Sequence, residues 1–299
     1  MRVDPLYVSN LVGALDQSQS TEQQLTSELS SGVRVTSLGQ DPVAAGQNVL
    51  LLNQIQRDDS FTQSSSLVQG RLQVADSALG SVVTQLTQAV SLATSANGTL
   101  NASQIESISN QLSGVRDEIV SLGNSSYQDQ YIFAGSQTST VPFTTSTSTS
   151  PAMTTYSGDS DVNLLETPNG QAIQLNLPGD QIFMGSGSNG VFTALNNLIA
   201  DFASGTASAS TVTDLQSLNT ALNYVSQQRV TLDNSLTRLT AASDAVSSEK
   251  TQLTTAQTSL MQADLGDIST QLSLSKTQQT ALEAVISQLG SGSLFEKLS

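Results

Sequence analysis

The sequence predicts a mainly α-helical protein. We expect its N- and C-terminal halves to form a long antiparallel helical bundle or coiled coil, with a small inserted β domain between them. Two observations predict this fold. Aliphatic residues recur at helical and heptad spacing in both halves, and the stretch from 136 to 189 turns to Ser, Thr, Gly, Pro and β-forming residues.

The longest apolar stripe lies in the C-terminal half and repeats at every seventh residue. No Pro interrupts it, so it predicts one helix of about 50 residues and about 75 Å. A helix of that length has to lie along other helices to bury its apolar side. The repeated positions are Leu218, Val225, Leu232, Leu239, Val246, Leu253 and Leu260.

Two further stripes lie in the N-terminal half. The first runs from Phe61 to Ala96 with a gap at Ser65, and Asn97-Gly98 is expected to end its helix. The second runs from Ile105 to Leu122, where Ser103 and Glu106 predict a capping box and Gly123 predicts the stop. The short connection between them predicts antiparallel neighbours.

The stripes at the two ends of the chain are sparser. Asp41 as N-cap and Pro42 as first helical residue predict a helix start after the first of them, and the long stripe breaks at 264–267. The two ends could pair with each other or stay disordered until a partner arrives. Their apolar positions are Leu11, Leu15, Leu25 and Leu29, then Ile268, Leu272, Leu282, Ile286 and Leu289.

The insert carries its own hairpin signals. Alternating residues at 162–166 and 172–177 flank Pro168-Asn169-Gly170, which predicts a β-hairpin, and a further strand is expected at 181–184. Because these signals are local, the sequence predicts that about 142–183 can be replaced by a short Gly/Ser linker with helical content and assembly largely intact.

Composition excludes several classes of function. The net charge of −15 argues against nucleic acid and against an anionic membrane surface. The absence of Cys and His removes the commonest nucleophile, general base and metal ligands. We therefore expect that the protein is not an enzyme and uses no cofactor. The start of the chain has no apolar run of signal-peptide length, and no stretch is long and apolar enough to span a bilayer. The protein is therefore expected to be cytoplasmic, or exported without a cleaved signal.

Some short motifs suggest chemistry, but each has a plainer explanation. The glycines at 185–190 match GxGxxG without the surrounding strand–helix units, and we interpret them as a linker. The pair Asp159 and Asp161 is more typical of a solvated turn than of a metal site. Glycosylation sequons begin at Asn97, Asn101 and Asn124, where helix-end chemistry explains them better. The Ser/Thr run at 144–150 is interpreted as a solvated loop rather than a sugar-bearing segment.

Blocks at both ends resemble the flagellin superfamily, the axial proteins of the bacterial flagellum. LSSGVRV at 29–35 followed by DPVAA at 41–45 is similar to that family's N-terminal signature, although Val33 and Gln40 depart from it. Further similar blocks in the family's order are LQVADSAL at 72–79, LATSANGT at 92–99, QADL at 262–265 and QQTAL at 278–282. The resemblance covers about residues 1–135 and 190–299.

Within that family, three features are similar to the members that join the filament to the hook, rather than to filament flagellin. They are Pro42 after Asp41, YIFAG at 131–135 and the ending SLFEKL at 293–298. The alternatives are filament flagellin, an unrelated coiled-coil binding module, and a helical bundle that needs no partner.

The resemblance implies an architecture. Residues 1–45 and 256–299 would form a terminal coiled-coil assembly domain, 46–135 and 190–255 a helical rod, and 136–189 an outward β domain. The assembly interface would contain the apolar positions of both ends together with Arg34, Asp41, Pro42 and Leu265. At the tail it would add Leu294, Phe295 and Leu298, which follow a predicted helix break at Gly290-Ser291-Gly292.

It also implies partners. The chain would cross the flagellar export apparatus unfolded, with an uncleaved signal and a chaperone on its C-terminal helix. It would then form a ring outside the cell, between hook-associated protein 1 and flagellin.

Overall fold

The computed structural model describes residues 5–96, 100–185, 190–204 and 209–295 and confirms the predicted fold class. Long helices pack antiparallel, and small strands lie in an inserted segment. The described helices are α1 Pro5–Ser31, α2 Pro42–Ser95, α3 Ala102–Gly123, α4 Val191–Ala203, α5 Ala209–Met261 and α6 Leu265–Phe295.

The chain divides into two compact units. Residues 1–57 and 249–299 make up the first, here called the terminal unit, and residues 58–248 make up the second, the central unit. Both α2 and α5 contribute residues to each unit.

The antiparallel pairing of α2 and α5 is visible in polar contacts between distant residues. In the central unit the Arg229 guanidinium binds the Asp76 carboxylate at 2.6 and 3.1 Å. In the terminal unit Gln257 Nε2 donates to Asn48 Oδ1 at 3.0 Å. The residue numbers rise along one helix as they fall along the other, as an antiparallel pair requires.

The predicted apolar stripes form the core of the central unit. The heptad positions from Leu218 to Val246 are all buried, as is most of the stripe on α2. Ser65, at the gap in that stripe, is fully buried as well, and its hydroxyl has no hydrogen-bond partner. From α3 the buried apolar residues are Ile105, Ile108, Leu112, Val115 and Ile119.

Most predicted helix ends are confirmed, and two are corrected. Asp41 caps α2 and Pro42 begins it, but α3 is capped by Asn101 with Gln104, two residues before the predicted Ser103. The Asn101 side chain accepts from the Gln104 N–H at 2.9 Å, so α3 begins at Ala102, two residues earlier than predicted. The break predicted at 290–292 is wrong because α6 continues to Phe295; a helical glycine costs only about 1 kcal/mol.

The Asn residues of two sequons lie at helix ends, as predicted. Asn101 is the N-cap of α3, and Asn124 is its C-cap, with its amide group bound to the backbone of Phe143. The third sequon and the predicted stop at Asn97-Gly98 lie outside the described residues.

Three antiparallel hairpins precede α4. They pair β1 Ser126–Tyr127 with β2 Gln130–Tyr131, β3 Phe143–Ser146 with β4 Met153–Tyr156, and β5 Leu164–Glu166 with β6 Ala172–Gln174. The last is the hairpin predicted around Asn169-Gly170, and Gly170 has the positive φ of 75° that its turn requires.

The strand predicted at 181–184 is wrong. Residues Asp180–Met184 form a π-helical turn. Its consecutive residues Ile182 and Phe183 are both buried, whereas a strand would send them to opposite faces. The turn lets both side chains enter one core.

The insert and the helices share that core. The Phe143 ring lies 5.1 Å from Phe183 and 5.4 Å from Phe192 of α4, between ring centroids. A Cβ placed on Gly123 of α3 would lie 2.8 Å from the Phe143 ring, so this approach needs a glycine. The insert therefore shares its core with the helices, which argues against the expectation that it can be removed without affecting them.

Tyr156 ties the insert to the segment after β2. Its hydroxyl lies 2.9 Å from the Phe133 carbonyl oxygen and 2.8 Å from that of Asp159, so it can donate to either. Burial, reinforced by the nearby Asp180 carboxylate, raises the pKa of Tyr156 to about 12.

We expect Tyr156 to titrate well above the ordinary value for a tyrosine. Because the folded pKa exceeds the unfolded value, this group's stabilising effect is complete below pH 10 and is lost as the pH rises through about 12. Absorbance titration of the folded chain should show this late step, and Tyr156→Phe should remove it. A late step that survives the substitution would contradict the assignment.

Candidate assembly interface

The terminal unit is built on the pairing of α1 with α6. The buried apolar cluster at this pairing is small: Leu25, Ala263 and Ile268, with Leu272 packed against it. The hydroxyls of Ser18 and Ser275 lie 3.4 Å apart across the pair. The two sparse stripes therefore pair with each other in this structure, although they bury little.

The connection between α1 and α2 meets the connection between α5 and α6, at a place here called the corner of the terminal unit. Val33 and Gln262 form an isolated antiparallel β-bridge, in which the Arg34 N–H donates to Met261 O at 2.7 Å. The Ala263 N–H donates back to Gly32 O at 3.0 Å. The segment between α1 and α2 is thus bound to the segment between α5 and α6.

Arg34 and Asp41 meet at the same corner. Arg34 Nη1 lies 3.2 Å from Asp41 Oδ2, and Arg34 Nη2 donates to Leu260 O at 3.3 Å. The hydrogen bond from the Ala44 N–H, with help from Arg34, holds the pKa of the Asp41 carboxyl below its usual range.

The predicted interface residues are partly covered in this structure. Among them Leu25 and Ile268 are buried, whereas Leu29, Arg34, Pro42 and Leu265 are exposed. The half-buried ones are Leu11, Leu15, Asp41, Leu272, Leu282 and Ile286. The side chains of Leu289, Leu294 and Phe295, and all of Leu298, lie outside the described residues.

An open groove of about 650 Å³ runs between α1 and α6. Two of the predicted interface residues, Leu25 and Leu282, line it, and so do Leu274 and Val285, which were not among the predicted residues. Leu274 is 58% exposed and Val285 is 40% exposed. Their spacing with Ala281 is helical, which is the signal of a second apolar stripe on α6 that could have found them.

The start of α2 also presents apolar side chains to solvent. Val43, Val49 and Leu50 are each more than half exposed. Large exposed apolar surface is costly unless a neighbour covers it, and it commonly marks interaction sites. The terminal unit therefore has more apolar surface than its own helix pair covers.

The pair Asp159 and Asp161 takes part in the hydrogen bonds of the fold. The Asp159 carboxylate accepts from the N–H groups of Ser136 at 2.7 Å and Asp161 at 3.1 Å, and the Ser136 bonds lower its pKa. Within the described part of the chain, no group of three metal-ligating side chains could hold an ion. Gly185–Gly190 falls largely outside the described residues. None of the described helices is long and apolar enough to cross a bilayer.

We expect the terminal unit to be the less stable part of the isolated chain. Among its described residues only five apolar side chains are buried, so they contribute little hydrophobic stabilisation. Limited proteolysis of monomeric protein should cut first within about 1–45 and 265–299 and leave a resistant central unit. Equal resistance of both units would contradict this expectation.

The comparisons agree with the resemblance found in the sequence. The family model for the bacterial flagellin N-terminal helical region matches residues 7–138. Flagellar hook-associated protein 3 of Escherichia coli K12 is 26% identical over 304 residues, 93% of this chain and 92% of that protein. Its namesake from Salmonella typhimurium is 28% identical over 188 residues, which is 62% of this chain and 57% of that protein.

A solved structure supports the fold. A flagellar hook-associated protein from Vibrio parahaemolyticus, 20% identical, superposes with a TM-score of 0.64 over 74% of this chain and 99% of its own. At that identity the likeness shows the fold alone. The family model and the two sequence relatives make the chain similar to the flagellin superfamily and, within it, to the proteins named flagellar hook-associated protein 3.

Proposed function

We propose that this chain is a structural subunit of the bacterial flagellum that connects hook to filament, and that it assembles through its terminal helices. The observation that carries the proposal is the uncovered apolar surface of the terminal unit, combined with similarity to hook-associated protein 3 along 93% of the chain. A small core flanked by exposed Leu and Val suits a surface that is completed by neighbouring subunits.

The proposed assembly has three parts. Residues 1–45 and 256–299 pair with each other as a coiled coil, through which neighbouring copies assemble. Residues 46–135 and 190–255 form a rod around it, and 136–189 lie outermost. The interface includes the predicted residues at both ends, with Leu274 and Val285 added from the groove.

The partners and route are part of the same proposal. A ring of copies would contact hook-associated protein 1 on one side and flagellin on the other. An export chaperone and the flagellar export apparatus would handle the chain before assembly outside the cell, without cleavage of a signal. The protein has no catalytic role and needs no cofactor.

The groove provides a direct test, because Leu274 is exposed in the isolated chain. Leu274→Asp should leave the melting curve nearly unchanged but place a charge where a neighbouring helix would pack. In cells that lack their own copy of the gene, we expect loss of swimming with this variant. Its neighbour Ser273 is exposed outside the groove, so Ser273→Asp should preserve swimming. Normal swimming with both variants would overturn the assembly role of the groove.

Filament flagellin is the second candidate, because the matched family model describes the flagellin N-terminal region. Electron microscopy of flagella with antibody-labelled chain separates the two. Label confined to the hook–filament boundary supports the junction subunit, whereas label along the whole filament supports flagellin.

A further inference from the structure

One residue, Arg34, supplies donors to the end of one helix and binds the cap of another. At the C-terminus of α5, the carbonyls of Leu260 and Met261 have no partner within the helix. Arg34 reaches both: its Nη2 donates to Leu260 O at 3.3 Å and its backbone N–H to Met261 O at 2.7 Å. A guanidinium at this position also faces the negative end of the helix dipole.

The second guanidinium nitrogen of Arg34, Nη1, binds Asp41, the N-cap of α2. Asp41 Oδ1 accepts from the Ala44 N–H at 2.9 Å, which satisfies one of the free donors of that helix. Asp41 Oδ2 lies 3.2 Å from Arg34 Nη1. The carboxylate therefore sits at the positive end of α2 and is oriented by the same guanidinium that caps α5.

We propose that Arg34 and Asp41 form a single latch, which closes the end of α5 and the start of α2 together. Loss of either side chain then loosens both helix ends, although Leu260 lies 226 residues from Arg34. A planar guanidinium can serve two acceptors in fixed directions, which the ammonium group of a lysine does poorly.

The latch would control whether the two helix connections at the corner stay bound to each other. The bridge between Val33 and Gln262 holds the connections from which α1 and α6 depart, and it lies directly beside the latch. Opening the latch would release both connections in one event, so that the terminal helices could repack when subunits join. This last step rests on the proposed function; the latch itself does not.

Amide hydrogen exchange of the full-length chain tests the latch. The reporters are the N–H groups of Ala44 and Ala45 at the start of α2, and those of Gln262 and Ala263 after α5. Arg34→Ala and Asp41→Ala should each speed exchange at both reporter pairs by roughly two- to fivefold. The double variant should exchange no faster than the single ones, because either loss opens the same unit.

A second variant separates the N-cap hydrogen bond of residue 41 from its contact with Arg34. Asn is a good N-cap, so Asp41→Asn should retain slow exchange at Ala44 while weakening the bond to Arg34. We expect it to speed exchange at Gln262 and Ala263. Lys276→Ala is the matched control, because Lys276 pairs only loosely with Glu22, at 3.9 Å, and does not touch the corner. It should leave all four reporters unchanged, and central-unit amides serve as the internal standard of folding.

Several outcomes would overturn the latch. One is Arg34→Ala acting only at 262–263 while Asp41→Ala acts only at 44–45, which would mean two independent caps. Another is a double variant in which the effects of the two single variants on the exchange rates add up. Unchanged exchange in both single variants would show that the contact contributes nothing. None of these results bears on swimming, so the latch can fail while the junction role stands, and the reverse is also true.

Discussion

Phe143→Ala should lower the free energy of unfolding of the central unit by about 3–5 kcal/mol, the usual cost of emptying a buried aromatic site. Phe143 is 1% exposed and packs against Phe183, Phe192 and Tyr156. The site cannot easily collapse, because Gly123 and Gly179 already lie against the ring. The loss should extend to the helices, since α3 and α4 form two walls of the same pocket.

Met153→Ala is the matched control for this substitution. Met153 lies on the same hairpin, paired with Ser146, and is 57% exposed. Its truncation should change stability by no more than about 0.5 kcal/mol. Urea titrations followed by tyrosine fluorescence report the central unit, because four of the five tyrosines lie in residues 58–248. If Phe143→Ala costs no more than the control, the insert is independent after all.

The second large effect concerns the pairing of α2 with α5. Leu239 is a heptad position of α5 and is fully buried. Leu239→Ala should cost about 2–5 kcal/mol in the same titration, because it leaves a cavity between two long helices that cannot both move to fill it. The helical circular dichroism signal should be lost at a correspondingly lower urea concentration.

Val230→Ala provides the comparison on the same helix. Val230 is 59% exposed, so we expect a change within about 0.5 kcal/mol, and alanine also has the higher helix propensity. Equal costs at Leu239 and Val230 would mean that the heptad stripe does not pack as the structure has it.

These two sites differ in how far the sequence anticipated them. Leu239 could be predicted as buried because heptad periodicity is local information, visible in one segment of chain. Phe143 could not, because nothing in residues 136–189 indicates that its ring approaches Gly123 and Phe192. The hairpin signals were correct for strands β5 and β6, but they carry no information about what the insert packs against.

The residues of the candidate interface also differ in whether the sequence or only the structure identified them. Leu25 and Ile268 were predicted from their stripes, and both are buried where α1 meets α6. Leu274 and Val285 were missed because they belong to a second face of α6, and only the position of α1 shows that this face borders a groove. Stripe positions such as Leu29 remain exposed because the pair has too little surface to cover every apolar side chain.

The sequence by itself determined the helices, most of their ends and the resemblance to the flagellin superfamily. Apolar periodicity, Asp41-Pro42 and Asn169-Gly170 act through neighbours in the chain, and the blocks at both ends could be matched without coordinates. The tertiary structure alone decided three things: that the insert shares the helical core, that the sparse terminal helices pair, and that Arg34 reaches Leu260. Each depends on contacts between residues far apart in the chain, whose geometry no local pattern specifies.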